Sequence, residues 1–248
     1  VVERQIVRVL GPIDVVTPSG VVSVGGHGPR ALLGALAIRA GHAVPIDFLQ
    51  DVLWRDAPPA TSTNILQSYV SSLRHRFGSD FIVLSDHSYE LNATSSDVDA
   101  LRFESWLHQA DRAADDPTER LRLCSDALKL WRGRPFGELA DDDAFSLEAY
   151  RLDELRLAAM ELSMDAELRL GHHETVVAEL EGAVKENPFR ERLWYLLIEA
   201  LAVGERRVEA LRACAELRRV LGEVGIDVEW KIAELERRIL DGETVTPI

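Results

Sequence analysis

The sequence predicts a mainly α protein in two parts: an α+β segment over residues 1–95, then an all-α segment over 96–248. Three observations carry this. Short β-branched runs, each closed by Gly or Pro, precede the first helical pattern. Residues 58–91 join one amphipathic helix to two short strand-like runs, the shape of a DNA-recognition helix and its wing. From Asp97 onward the pattern is almost wholly helical, punctuated by Pro117, Gly133, Pro135, Gly171, Pro188, Gly204 and Gly225.

The 248 residues suffice for one large domain or two ordinary ones. At 46% hydrophobic and 28% charged, the composition is that of a soluble globular chain with real cores. No apolar run approaches the roughly 20 residues of a membrane span, and the N-terminus has no signal-peptide pattern. Cys124 and Cys214 lie far apart on amphipathic patterns and read as buried free thiols in a reducing cytoplasm.

The net charge of −14 is unevenly spread. Residues 1–95 hold 7 Arg and 8 Asp or Glu, whereas the remainder holds 21 Lys or Arg and 34 Asp or Glu. The acidity therefore belongs to the helical part. The near-neutral first part permits nucleic-acid binding without arguing for it.

In order, Val7-Arg8-Val9-Leu10, Ile13-Asp14-Val15-Val16 and Val21-Val22-Ser23-Val24 predict a small antiparallel sheet. A helix begins near Pro29 and stops at Gly41, with Leu32, Leu33, Leu36 and Ala37 on one face. A second covers 46–54. Pro58-Pro59 interrupts, and Thr61 or Ser62 can cap the third helix. There Leu66, Val70, Leu73 and Phe77 form one stripe, widened by Ile65 and Tyr69. Phe81-Ile82-Val83-Leu84 and Tyr89-Glu90-Leu91 predict a closing hairpin.

Later helices are predicted over 98–114, 118–131, 145–170, 173–186, 190–203, 206–221 and 228–240. Gly171 and Gly204 sit at equivalent turns of a repeated helix pair. Their 33-residue offset is close to the roughly 34-residue tetratricopeptide unit, whose stacked pairs leave a groove for a partner.

The polar side of the third helix carries the chemistry. Asn and Gln pair bidentately with adenine, Ser and Thr contact bases or phosphates, and Arg reads guanine or holds phosphate. Elsewhere familiar motifs are missing. The stretch Gly25-Gly26-His27-Gly28-Pro29-Arg30 lacks a phosphate-loop ending and reads as a tight turn. Asp141-Asp142-Asp143 has no calcium-loop spacing and reads as a solvated acidic loop. His172-His173 has no ligand partners at metal spacing. No catalytic motif appears, so no enzyme, cofactor or metal is expected.

Several ordered motifs resemble the Streptomyces antibiotic regulatory protein family. They are Arg8-Val9-Leu10-Gly11-Pro12, Arg30-Ala31-Leu32-Leu33, Val52-Leu53-Trp54 before Pro58-Pro59, and the set Asn64, Gln67, Tyr69-Val70-Ser71, Leu73-Arg74. Asp97-Val98-Asp99-Ala100, Arg102-Phe103, Ala127-Leu128, Leu130-Trp131-Arg132-Gly133 and Arg190-Glu191-Arg192-Leu193-Trp194 resemble the bacterial transcriptional activation domain that follows in that family. The resemblance spans nearly the whole chain. It implies an OmpR/PhoB-type winged helix-turn-helix over 1–95 and a tetratricopeptide-like activation domain over 96–248. It also implies binding to direct repeats at promoters and recruitment of RNA polymerase, with sigma factor among the subunits met, often for antibiotic or other secondary-metabolite genes.

Carried over by position, the recognition helix falls on 61–77, the wing on 81–91, and a polymerase-touching loop on 55–60. Thr63, Asn64, Gln67, Ser68 and Ser71 are expected at the major groove. Arg74, His75, Arg76 and Arg30 are expected nearer phosphates. The chain departs from the family where basic residues are common, at Gly28, Thr63 and Ser72, and at the wing tip, where Ser88-Tyr89-Glu90 and Asp86 stand. Fewer phosphate contacts weaken binding at all sequences alike. The expected protein is a cytoplasmic transcriptional activator that contacts promoter DNA, forms a homodimer on it and meets no membrane. The alternative is a co-regulator of the same fold, with DNA binding weakened and the helical groove engaging a protein.

Overall fold

The structure is a computed structural model and describes residues 5–55 and 57–245. The chain divides into two compact units, Val1–His108 with Asp126–Arg156, and Gln109–Ser125 with Leu157–Ile248.

In the first unit, β1 (Ile6–Arg8), β2 (Asp14–Thr17) and β3 (Gly20–Ser23) form the expected antiparallel sheet in the order β1-β2-β3. Val7 faces Val15, and Val15 faces Val22. Residue 56, in the loop 55–60, lies outside the described residues. α1 (His27–Ile38) starts two residues before Pro29, because Gly26 is extended and serves as the cap. Pro29 then sits in the first turn, where its missing N–H is one the helix could not bond anyway.

β4 (Val44–Pro45), a strand the sequence did not advertise, leads into α2 (Ile46–Trp54) and pairs with β6. α3 (Ser62–Phe77) follows, then β5 (Ile82–Ser85) and β6 (Ser88–Leu91). The second sheet has the order β4-β6-β5. Its two-residue hairpin turn places Asp86 at φ 42° and His87 at φ 59°. Paired left-handed residues are what a tight hairpin needs to match strand twist. Leu32, Leu33, Leu36, Leu49, Leu66, Val70, Leu73, Ile82 and Leu91 are buried and form this unit's helix-sheet core. This is the winged helix-turn-helix.

Later residues complete the same unit. α4 (Asp99–Arg112), α5 (Pro117–Leu128), a 3₁₀ turn (Gly137–Asp141) and α6 (Asp143–Arg169) follow in the chain. The N–H groups of Val9 and Leu10 donate to the Asp99 carboxylate at 2.7 and 3.1 Å. Their carbonyls accept from Phe136 N–H at 2.7 Å and Arg132 N–H at 2.8 Å. All four backbone polar groups of the strand-end dipeptide are thus satisfied by residues 99–136, as burial demands. Compactness therefore does not divide the chain at 95/96.

In the second unit the helical pattern is as expected, with α7 (His173–Glu186), α8 (Glu191–Val203), α9 (Arg207–Gly222) and α10 (Trp230–Asp241). The structural repeat is 34 residues. His172 N–H donates to Glu167 O, and Arg206 N–H donates to Leu201 O, at equivalent turns. The left-handed position is Gly171 at φ 85° in one turn but Glu205 at φ 60° in the other. Gly204 is thus one residue off register with Gly171, which corrects the 33-residue offset. Leu180, Leu193, Leu196, Leu197, Leu201 and Leu217 centre the core. Arg120 is buried against Asp165 at 3.2 Å, and Asp165 also binds Arg192 at 2.6 Å. Cys124 and Cys214 are buried free thiols, pushed by burial up to about 11 and about 12.

Candidate nucleic-acid interface

α3 forms because its apolar residues recur on one face. Leu66, Val70, Leu73 and Phe77 are all buried, as their spacing predicts. Pro58-Pro59 precedes the helix, and Gly78 at φ 117° ends it. Thr61 occupies the cap position, yet neither it nor Ser62 caps through its side chain. Instead the Gln50 amide of α2 donates to Ser62 Oγ at 3.0 Å and to Thr63 Oγ1 at 3.1 Å. Gln50 thereby braces the helix start across the turn, a role with no local sequence signal.

Thr63, Asn64, Gln67, Ser68, Ser71, His75 and Arg76 are exposed on α3, and Arg74 is half-buried. Asn64, Gln67, Ser68, Ser71 and His75 follow helical spacing and share one face. The expected cations are largely engaged. Arg74 Nε donates to Ile82 O of β5 at 2.8 Å, and Arg76 Nη1 donates to Ser23 O of β3. Arg30, in α1, pairs with Glu138 at 2.7 Å. His75 alone among the cationic side chains of α3 holds no such contact among the described residues.

The wing packs on α3 through Phe77 and Phe81, whose rings lie 5.0 Å apart. Asp86 and His87 are exposed at its tip, beside exposed Val83 and Leu84. At Gly28 the Tyr69 ring of α3 fills the space of a side chain: a Cβ there would meet it at 2.5 Å. The position where the family often carries a basic residue is thus occupied by a neighbour.

Asp141-Asp142-Asp143 is solvated, as its composition suggests, yet each carboxylate has a basic partner. Asp141 pairs with Arg134 at 2.8 Å, Asp142 with His27 at 3.3 Å and Asp143 with Arg55 at 2.5 Å. His27 and Arg55 stand 88 or more residues away from their partners, beyond any local pattern. Among the described residues no group of three or more His, Cys, Asp or Glu could hold a metal, and no helix is long and apolar enough to cross a membrane.

The arrangement, a recognition-type helix and wing with tetratricopeptide-like helices, is that of a winged-helix transcriptional regulator. Residues 98–240 match the model of the bacterial transcriptional activator domain. The chain belongs to that family, in the group of Streptomyces antibiotic regulatory proteins. It is 34% identical to the regulatory protein AfsR of Streptomyces griseus over 96% of this chain and 25% of that protein. It is 29% identical to the regulatory protein DnrI of Streptomyces peucetius, over 94% of this chain and 91% of the other. The solved structure of Mycobacterium tuberculosis EmbR in complex with a low-affinity phosphopeptide superposes with a TM-score of 0.90 at 30% identity, covering 97% of this chain and 66% of that one. The chain thus spans a quarter of AfsR and about two thirds of EmbR.

Proposed function

We propose that this chain is a sequence-specific, DNA-binding transcriptional activator. The observation that carries the reading is the exposed polar face of α3 beside its wing, with Thr63, Asn64, Gln67, Ser68 and Ser71 facing outward from a buried apolar stripe. Asn64 and Gln67 have the chemistry to read adenine in the major groove, and the three hydroxyl side chains can contact bases or phosphates. Arg74, His75, Arg76 and Arg30 are assigned to backbone contact.

In this reading 1–95 binds promoter DNA and 96–248 meets RNA polymerase, including its sigma factor. Direct repeats are bound by two copies, paired on the DNA. The work belongs in the cytoplasm, and the group's name, antibiotic regulatory proteins, points to antibiotic pathways as the controlled genes. Because three of the assigned arginines have protein partners, few phosphates are neutralised and the salt dependence is shallow. Titration of upstream promoter DNA at several salt concentrations tests this. Saturable binding that outcompetes mixed-sequence duplex supports the reading, and no binding even at low salt overturns it.

A second reading, a co-regulator acting through protein contacts, is favoured by one feature of the second unit. A groove of about 520 Å³ is floored by Val184, Trp194, Leu197, Leu201, Ala213 and Val220. Activation that survives loss of DNA binding by Gln67→Ala and Asn64→Ala would support this alternative.

A further inference from the structure

Two arginines and a histidine of the winged helix are held by one short acidic segment. Glu138 lies 2.7 Å from Arg30, Asp142 lies 3.3 Å from His27, and Asp143 lies 2.5 Å from Arg55. His27 and Arg30 belong to the first turn of α1, and Arg55 closes α2. Six consecutive residues, 138–143, therefore reach three basic side chains from two separate helices, all within the first unit.

The chemistry of the contact is that of a phosphate site. Each carboxylate offers acceptor oxygens to a cation at ion-pair distance, as a backbone phosphate would. The first turn of α1 adds the partial positive charge of a helix N-terminus. His27 and Arg55 remain 63% and 56% exposed, so an anion from solvent can reach them. Pairs this exposed hold weakly. The Tyr69 ring against Gly28 ties the start of α1 to α3. His27 and Arg30 therefore keep a fixed relation to the recognition face.

The geometry points to a masked phosphate-binding edge: His27, Arg30 and Arg55 are backbone contacts for nucleic acid, and the carboxylates of Glu138, Asp142 and Asp143 occupy them in the free protein. DNA phosphates displace the carboxylates on binding. The mask lowers affinity at every sequence and leaves base discrimination unchanged, because none of these cations lies on α3. The inference rests on the DNA-binding reading above and adds two contact residues, His27 and Arg55, to it.

The test compares the parent with the triple variant E138Q/D142N/D143N and with E179Q/E181Q/E186Q, which makes the same charge change on exposed residues of the second unit. Mixed-sequence duplex and heparin are titrated at several salt concentrations. The first triple variant should bind both polyanions roughly three- to ten-fold more tightly at low salt, with a salt slope steeper by about one to three. Adding R30Q and R55Q should abolish the gain, and thermal unfolding of the first triple should stay near the parent's. An equal gain in both triples reduces the effect to net charge and overturns the inference, as does no gain in either. If the parent binds promoter DNA but unmasking changes nothing, the mask fails and the DNA reading stands. If heparin binding rises while no duplex is bound, the masked edge stands and the DNA reading fails.

Discussion

Arg74 donates from Nε to the carbonyl oxygen of Ile82 at 2.8 Å, joining the recognition-type helix to the first strand of its wing. One cation of the polar face is therefore also a structural tie. Arg74→Ala should lower stability by about 1–2 kcal/mol, through a lost charged hydrogen bond to backbone, and weaken DNA binding at all sequences. Gln67→Ala, on an exposed position, should leave stability within about 0.5 kcal/mol and relax discrimination at one base pair by about 1–3 kcal/mol. Thermal unfolding and competition binding separate the two. Equal stability losses would contradict the assignment.

The Tyr69 ring and Gly28 share one space. A methyl group at 28 would meet the ring at 2.5 Å, so the ring must turn away. Gly28→Ala should destabilise by about 1–3 kcal/mol. In Tyr69→Ala the same change should cost much less, giving a coupling of about 1 kcal/mol or more in a double-mutant cycle. Additive effects would show that the two side chains do not compete.

Asp99 makes stability depend on pH. Burial pushes its carboxyl up from 3.8 to about 6, against the lowering effect of the Val9 and Leu10 N–H groups and of Arg132. The folded chain therefore keeps a proton that the unfolded chain has released. This contribution is complete below about pH 4 and is lost as pH rises through about 6. Relative to Asp99→Asn, the parent should gain on the order of 2–3 kcal/mol between pH 7 and pH 4. Denaturant melts across that range decide it, and a parent that gains nothing on Asp99→Asn toward low pH refutes it.

In the second unit Asp165 faces buried Arg120 at 3.2 Å and Arg192 at 2.6 Å. Asp165→Ala leaves the Arg120 guanidinium buried without its carboxylate and should cost about 3–5 kcal/mol. The double change Arg120→Met with Asp165→Leu, which buries no charge there, should recover most of that loss. A double variant as unstable as the single would show that packing, not charge, holds the site.

What the sequence revealed follows the range of the forces involved. The bounds of α2 and the buried stripe Leu66, Val70, Leu73 and Phe77 were legible, because helical periodicity is local. So were the wing strands and most of the later helices. β4 was not, since its two residues are strand only by pairing with Ser88 and Tyr89. The turn at Glu205 was misplaced by one, because Gly204 drew attention to itself while a non-glycine residue took the left-handed position.

The polar face of α3 was legible as a list of residues, and their exposure agrees with it. The state of its cations was not. Arg76 meets Ser23, Arg30 meets Glu138 and Arg55 meets Asp143 across separations no periodicity reports. Asp141-Asp142-Asp143 is solvated as expected, but composition cannot name a partner, so its pairs were hidden.

The four hydrogen bonds around Val9 and Leu10 bear on how the protein can be cut. A fragment ending at residue 95 would keep every strand and helix of the winged helix and still lose Asp99, Arg132 and Phe136. The end of β1 would face the missing segment with two unmatched donors and two unmatched acceptors. Phe103, Phe136 and Phe145, all fully buried, would leave with them. Residues 126–156 are thus part of the same compact unit as the winged helix, and a fragment cut at 95 loses a structural component of its own body.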